Sequence, residues 1–418
     1  MTTIMAIHRA IPLVHASPGC GFNLTLGQVL ASGYQGQGYC GGGGLPSTRF
    51  TTKQVVYGGE DRLRQQLKAT LDWMDGDFIA ILTGCTADLI GDDIEAVAKE
   101  FNTREMPVVC LKTGGFRGNS FRGYEIVLES LANQVMKKSS RREKGLVNIF
   151  GIAPYQDIFW RGDLKETQRV LEKLGLKANL MYRHEFGLDA WRKAPEAELN
   201  LILSPWVGLD FAKKFEEELE VPYLVFPELP VGPSETSKLL RMVGERLNVS
   251  NDLVEKVVAE EEGEAYYYLE GMADPLYADL GWQLSFAVIG DSNLVIGVTK
   301  FLTNDIGYIP DLAVITDDPP DKYRETIINE LTNLNHDLKP KVVFESNSDK
   351  VWEAAEKTDA DVLLGSSLDY PVAHQLTAAH VCIGRPAVDR QITNDTLCGY
   401  RGGLELLADI VTAAFKST

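Results

Sequence analysis

The sequence predicts an α/β fold built from doubly wound domains with parallel sheets. Strand-like runs rich in Val, Ile and Leu recur along the whole chain, most of them lead into a helical pattern, and within each run the apolar residues are consecutive rather than alternating. Consecutive apolar residues are typical of strands that are covered on both faces, as in parallel sheets flanked by helices. Binding and catalytic sites of such folds lie at the carboxyl ends of the strands.

The strand–helix alternation can be followed in chain order, which is why parallel sheets are expected. The predicted strands are residues 77–84, 145–152, 198–205, 222–227, 283–291, 311–316, 341–346, 360–367 and 379–384. The predicted helices include residues 86–101, 164–175, 207–220 and 292–307.

The chain has 418 residues, which is long enough for two or three domains. We divide it into residues 1–140, 141–280 and 281–418. The charged run "MKKSSRREKG" (136–145) marks the first boundary, and an acidic helical region over 233–279 precedes the second. All three segments are predicted to be α/β domains, the second with that helical region attached.

Composition restricts the function classes. The formal net charge of −18 argues against a nucleic-acid partner, because phosphate binding requires a basic face. No apolar run reaches the length of a membrane helix, and the first 15 residues are too mixed for a signal peptide. We therefore expect a cytoplasmic protein without a membrane partner. Six cysteines are too few for a disulfide scaffold, so clustered cysteines favour metal binding or redox chemistry.

Two cysteines stand where α/β folds place their sites. Cys20, in "HASPGCGF", and Cys85, in "ILTGCTADLIGDD", each follow an apolar run and a glycine. A preceding glycine allows the backbone to approach a bulky inorganic cluster closely, and peptide N–H groups can donate to its sulfur. The alternative is a pair of buried core thiols, because free cysteine is among the most buried residue types. No nucleotide-binding loop, zinc-hydrolase motif or dithiol motif is present.

The surroundings of these cysteines resemble the nitrogenase component-one family. "GCTADLIGDDIEAV" is similar to the segment around a cluster cysteine of that family, and "HASPGCGF" is similar to its Gly-Cys turn. "VVYGGEDRLRQQLKATLDWM" (55–74) resembles the helix that links these two motifs. Later segments, among them "LSPWVGLDFAKKFEEELE" and "IGRPAVDR", resemble the β-type subunit. Ser204 and Pro205 stand where the α-type subunit carries a cofactor-binding cysteine.

The resemblance implies three Rossmann-like domains, the first of which binds the cluster, and a heterotetramer with an α-type partner. Cys20 and Cys85 would then supply thiolates to an interfacial iron–sulfur cluster, either P-cluster-like (8Fe-7S) or 4Fe-4S. A separate ATP-dependent iron–sulfur reductase would deliver the electrons, and they would pass to a metal cofactor in the partner. No catalytic residue is assigned to this chain.

Two departures from the family pattern bear on the cluster. The family's third cysteine ligand would precede Cys20, where the sequence offers only 19 residues, and its serine ligand would fall at Gly114 or Gly115. Either the cluster is a simpler 4Fe-4S unit, or the partner chain or Cys40 supplies the missing ligand. Cys40 is as consistent with an exposed loop thiol.

Polar residues near the two cysteines are expected to support the site. His15 is a candidate for orienting the cluster through a hydrogen bond, or a residue of the surrounding polar network without a redox role. Asp92 and Asp93 are expected to cap the following helix, because carboxylates suit helix N-termini. Cys110 is expected in the core, and Cys382 and Cys398, in the C-terminal segments that resemble the β-type subunit, are expected to be structural.

The resemblance leaves several functions open. The short N-terminal segment and the glycine-rich loop "GYCGGGGLPS" (38–47) favour a divergent reductase, and the preferred one is a methylthio-alkane reductase, which acts on carbon–sulfur bonds. The alternatives are a subunit of a cofactor-assembly scaffold and a subunit of a tetrapyrrole reductase of the chlorophyllide or sirohydrochlorin type. A metal-free α/β binding protein is a further possibility.

Overall fold

The structure, a computed structural model, describes residues 1–36, 38, 44–182, 187–272 and 284–417. Three parallel sheets of three, four and five strands form its frame, so the predicted fold class is confirmed. Most strands are buried on both faces, which explains their consecutive apolar residues, whereas the edge strands at 177–179, 223–226 and 341–344 are only partly buried. One large hydrophobic cluster joins all three sheets through residues such as Leu82, Phe150 and Val288.

The first sheet has the strand order β1-β2-β3. Its strands are β1 (Ala10–His15), β2 (Phe78–Thr83) and β3 (Val108–Leu111). The helices of this part are α1 (Thr2–Ala6), α2 (Pro18–Ala31), α3 (Thr52–Tyr57), α4 (Glu60–Trp73), α5 (Cys85–Ile90), α6 (Ile94–Phe101) and α7 (Ser120–Gln134). The helix predicted over 86–101 is thus two helices. The break falls at Gly91, whose φ of 77° ends α5 in the left-handed conformation that glycine adopts without strain.

The second sheet has the order β5-β4-β6-β7. Its strands are β4 (Leu146–Phe150), β5 (Lys177–Asn179), β6 (Leu199–Leu203) and β7 (Tyr223–Phe226). The helices are α8 (Trp160–Lys173), α9 (Gly187–Lys193), α10 (Leu209–Leu219), α11 (Gly232–Arg246) and α12 (Asn251–Gly271). The last two account for the predicted acidic helical region as far as residue 271.

The third sheet has the order β10-β9-β8-β11-β12, so the strand order reverses between the parallel strands β8 and β11. Its strands are β8 (Ser285–Gly290), β9 (Ile309–Ile315), β10 (Lys341–Phe344), β11 (Val362–Gly365) and β12 (Ala379–Cys382). The helices are α13 (Ser292–Lys300), α14 (Asp321–Thr332), α15 (Ser348–Ala355), α16 (Tyr370–Leu376) and α17 (Gly399–Ser417). A π-helical turn (Phe301–Ile306) continues α13, which covers most of the helix predicted over 292–307.

Two helical glycines allow a direct test of the packing between the second and third sheets. In α13, a Cβ at Gly297 would lie 2.1 Å from the carbonyl oxygen of Leu229, whereas a Cβ at Gly263 in α12 would meet nothing within 4 Å. We expect Gly297→Ala to lower the free energy of unfolding by about 2 kcal/mol, because backbone must move to admit the methyl group. Gly263→Ala should raise it by about 1 kcal/mol through helix propensity. Urea denaturation of both variants measures the difference, and equal effects would contradict this packing.

Candidate metal centre

The site lies at the carboxyl edge of the first sheet, where three consecutive strands end. Cys20 is the third residue of α2, which follows β1, and Cys85 is the first residue of α5, which follows β2. The turn after β3 is a short 3-10 helix, Gly115–Arg117. Because the strands are parallel and adjacent, these three connections lie side by side.

Cys20 lies beside the residue that precedes Cys85 in the chain. The Gly84 N–H donates to the His15 carbonyl oxygen at 3.0 Å and thereby ties the start of α5 to the end of β1. The Sγ of Cys20 lies 3.8 Å from the position that a Cβ at Gly84 would occupy, which is next to Cys85 in the chain. Both thiols are exposed, so the alternative of two buried core thiols is wrong.

The turn after β3 contributes a backbone donor to the site. The Gly115 N–H lies 3.1 Å from Cys85 Sγ and points at it as a hydrogen-bond donor. Asp88 holds this turn against α5: its Oδ2 accepts from Arg117 Nε at 2.6 Å and from the Gly114 N–H at 3.3 Å. The Asp88 side chain is only 2% exposed, which protects this ion pair from water on one side. Sequence reasoning missed this role of the "GGFRG" segment.

His15 and Asp92 form a buried pair behind the cysteines. Asp92 Oδ2 lies 3.0 Å from His15 Nε2, and the same carboxylate accepts the Gly59 N–H. Burial lowers the pKa of His15, and the hydrogen bond and charge of Asp92 offset this only in part. His15 is therefore neutral at pH 7, and its ring contacts Asp92 and the edge of Phe50. Its structural contacts agree with the interpretation as part of a polar network.

The expectation that both aspartates cap the next helix is half correct. Asp93 is the N-cap of α6, and its side chain accepts the Ala96 N–H at 2.9 Å. Asp92 instead faces His15 and Gly59. Adjacent residues point in different directions at a helix start, and the long-range partner at position 15 could not be inferred from local sequence.

The remaining cysteines divide clearly. Cys110 is buried, as expected, and so are Cys382 and Cys398. Burial raises the pKa of Cys110 to about 12, so this thiol stays protonated in the core of the first sheet. Cys40 lies outside the described residues. Among the residues that are described, no group of three or more His, Cys, Asp and Glu side chains is arranged to hold a metal ion.

Three large apolar side chains that stand near the cysteines in the chain are exposed to solvent. Phe22, Leu89 and Phe116 are 66%, 74% and 57% exposed, and each stands within four residues of Cys20, Cys85 or Gly115. Contiguous exposed apolar residues mark surfaces that another molecule covers. This apolar rim, defined by these three residues, was also missed from sequence, because an isolated Phe or Leu is indistinguishable there from a core residue.

Parallel sheets flanked by helices, with two exposed cysteines at the carboxyl edge of one sheet, define an α/β protein with a candidate metal or redox site. The chain belongs to the nitrogenase component 1 type oxidoreductases: the model of that family matches residues 1–415. The two relatives described below are both β chains of nitrogenases. The recognition made from the cysteine motifs is confirmed.

Three comparisons show how far the similarity extends. The β chain of the nitrogenase vanadium-iron protein of Trichormus variabilis is 25% identical over 98% of this chain and 90% of its own length. The β chain of the nitrogenase molybdenum-iron protein of Azotobacter vinelandii is 23% identical over 99% of this chain and 81% of its own. The solved structure "Nitrogenase Cp1 at pH 6.5" superposes with a TM-score of 0.80 at 19% identity, covering 99% of this chain and 90% of that one.

Across the described ranges, no helix is both long enough and apolar enough to span a bilayer.

Proposed function

We propose that this chain is the β-type subunit of a nitrogenase-like reductase and holds half of an interfacial iron–sulfur electron relay. The observation that carries the proposal is an incomplete ligand set on an exposed apolar surface. Cys20 and Cys85 offer two exposed thiols, the described residues add no third ligand beside them, and the exposed apolar residues of the rim stand close to them in the chain. A second chain that covers the rim would exclude water and complete the coordination.

The residues present fit such a cluster. Thiolates are the protein ligands of iron–sulfur clusters, and N–H groups aimed at sulfur tune their potential. Cys20 and Cys85 would hold the iron, and the Gly115 N–H would stay directed at the Cys85 sulfur. When bound, the cluster would supply one-electron relay chemistry. Gly115 has no side chain, so this position offers no oxygen ligand, which supports a P-cluster-like centre altered from the family pattern or a 4Fe-4S centre. Cys40 remains a proposed further ligand.

The partners follow from the same argument. We propose an α-type subunit in a heterotetramer, with the metal cofactor in that partner, and a separate ATP-dependent iron–sulfur reductase as electron donor. The preferred reaction is carbon–sulfur bond reduction of the methylthio-alkane type. The strands of the three sheets fall at 10–111, 146–226 and 285–382, which supports three α/β domains over 1–140, 141–280 and 281–418.

Metal analysis of the complex tests this function and separates it from its alternatives. We would purify the chain anaerobically with its co-expressed α-type subunit and measure iron, acid-labile sulfide and the EPR spectrum. A relay in a reductase predicts an interfacial cluster plus a second metal centre on the partner. A lone 4Fe-4S cluster would favour a tetrapyrrole reductase, and a cluster that transfers to an apo-acceptor would favour an assembly scaffold. Colourless, iron-free protein would contradict the proposal.

A further inference from the structure

A separate cavity lies at the carboxyl edge of the third sheet, at the point where the strand order reverses between β8 and β11. Its volume is about 150 Å³. Ligands of doubly wound sheets bind at this reversal point, outside the carboxyl ends of the strands. A cavity of about this volume holds a molecule of benzene's size, so a ligand of roughly six to nine non-hydrogen atoms fits. The wall residues come from the ends of all five strands and from the loop after β4.

Small residues create the space and charged residues face it. Gly290, Ser366 and Gly384 line the cavity, and so do Asp291 and Arg385. The glycines and the serine end or follow their strands, so their small size leaves room at this edge of the sheet.

Asp291 is a carboxyl group without a hydrogen-bond partner. It begins α13 as the N-cap residue and its backbone carbonyl accepts the Val295 N–H at 2.9 Å, yet its carboxylate caps no N–H and accepts no hydrogen bond within the described ranges. Burial raises the pKa of Asp291 well above its usual range, the charge of Asp317 adds to this, and Arg385 opposes it. Asp157, on the cavity wall beside it, accepts the Phe159 N–H at 2.8 Å. No positively charged side chain forms a direct ion pair with Asp291 or Asp157 among the described residues.

The opposite charge is also available in the same cavity. Arg385 donates from Nη1 to Gln156 Oε1 at 3.0 Å. The residue is exposed, and the negative charge that acts on its guanidinium is that of Asp291. The helices α13 and α15 both begin at the cavity, with Ser348 of α15 and Asn293 of α13 on its wall. Helix N-termini favour negative charge, and a guanidinium fork matches a carboxylate.

We propose that this cavity binds a small zwitterionic amino acid. Its ammonium group would pair with Asp291 and Asp157, and its carboxylate would pair with Arg385 beside the two helix N-termini. A dicarboxylate or inorganic phosphate would place negative charge against Asp291, and a simple amine would leave Arg385 unmatched. The zwitterion complements both the carboxyl groups and the guanidinium, and this binding is independent of the iron–sulfur relay.

Equilibrium dialysis of the purified full-length protein with radiolabelled glycine, L-alanine, L-serine and L-methionine tests the proposal. At least one should bind saturably, one molecule per chain, with a Kd below about 1 mM. Derivatives that lack one charge, N-acetyl-L-alanine and L-alaninamide, should compete at least about tenfold more weakly, as should succinate and phosphate. No saturable binding of any of the four up to about 10 mM would overturn the proposal, as would equal competition by succinate or phosphate.

Variants locate the site. Arg385→Gln and Asp291→Asn should each weaken binding by about tenfold or more, and Arg385→Lys should lie between Arg385→Gln and the unaltered protein, because it keeps charge without the fork. Arg324→Gln is the matched control: this arginine of α14 pairs with Asp318 and Asp321 and is not on the cavity wall. Unchanged binding in Arg385→Gln would overturn the assignment, and an unchanged melting temperature shows that the variant is folded.

Discussion

Cys85→Ala is expected to remove the interfacial iron and to lower substrate reduction by the complex at least about 100-fold. Loss of one thiolate removes a direct iron ligand, and alanine offers no donor atom in its place. Cys85 is exposed, so its removal leaves no cavity in the core, and the fold should persist. Iron content, the EPR signal and reductase-driven turnover measure the effect. Cys20→Ala should behave in the same way.

Cys110→Ala is the control for that experiment. Cys110 lies on β3 of the same sheet, but it is 8% exposed, packs with aliphatic residues such as Ile81, and donates its S–H to the Ile94 carbonyl. Its replacement removes a thiol from the same sheet and leaves the carboxyl edge with Cys20 and Cys85 unchanged. We expect full iron content and turnover in this variant. Full iron content in Cys85→Ala, or equal iron loss in Cys110→Ala, would contradict the assignment of the ligands.

The strand-end position of the two cysteines was predictable because it follows from local sequence and one topological rule. An apolar run followed by glycine and cysteine fixes where a strand ends, and parallel neighbours bring such ends to one edge. The fold class was predictable for the same reason. The division of residues 86–101 into α5 and α6 was not, because the apolar spacing continues through Gly91 and only its φ reveals the break.

What local sequence could not show were contacts between distant residues. The Gly115 N–H reaches Cys85 over 30 positions, and Asp92 reaches His15 over 77. The exposure of Phe22, Leu89 and Phe116 likewise depends on which surface the fold leaves uncovered. These features decide how the candidate site works, yet each depends on tertiary packing. The one signal that these residues share in the sequence is that they stand close in the chain to Cys20, to Cys85 or to the "GGFRG" turn.

Asp163 joins the second sheet's helices to the C-terminal segment through a single buried oxygen. It is fully buried in α8, and its Oδ1 accepts from Thr396 Oγ1 at 2.7 Å and from the N–H groups of Leu397 and Cys398 at 2.8 Å each. These three donors immediately precede α17. The carboxyl therefore fixes where the last helix begins, and with it the covering of β12 and α8 by α17.

Asp163→Ala is expected to lower the free energy of unfolding by about 4 kcal/mol. It removes the acceptor of three buried donors, and each buried donor left unpaired costs about 1–3 kcal/mol. Asp163→Asn retains an oxygen at the same position and should cost about 1 kcal/mol or less. Urea denaturation followed by tryptophan fluorescence measures both variants. A small loss in the alanine variant, similar to that of the asparagine variant, would show that the oxygen is not the connection between α8 and the C-terminal segment.

The pH dependence of the stability of Asp163→Asn and of the unaltered protein is an independent test of the role of Asp163. Burial raises the pKa of Asp163 well above its usual range, and the charge of Asp157 adds to this, while the hydrogen bonds from Thr396, Cys398 and Leu397 oppose it. The folded chain thus binds the Asp163 proton more tightly than the unfolded chain, whose aspartates titrate near pH 4. Stability from this group is present at low pH and is lost as the pH rises through the raised pKa. Asparagine does not titrate, so the free energy of unfolding of Asp163→Asn, relative to that of the unaltered protein, should increase between pH 5 and pH 8. A relative free energy that decreases over this range would mean that Asp163 is ionised in the fold.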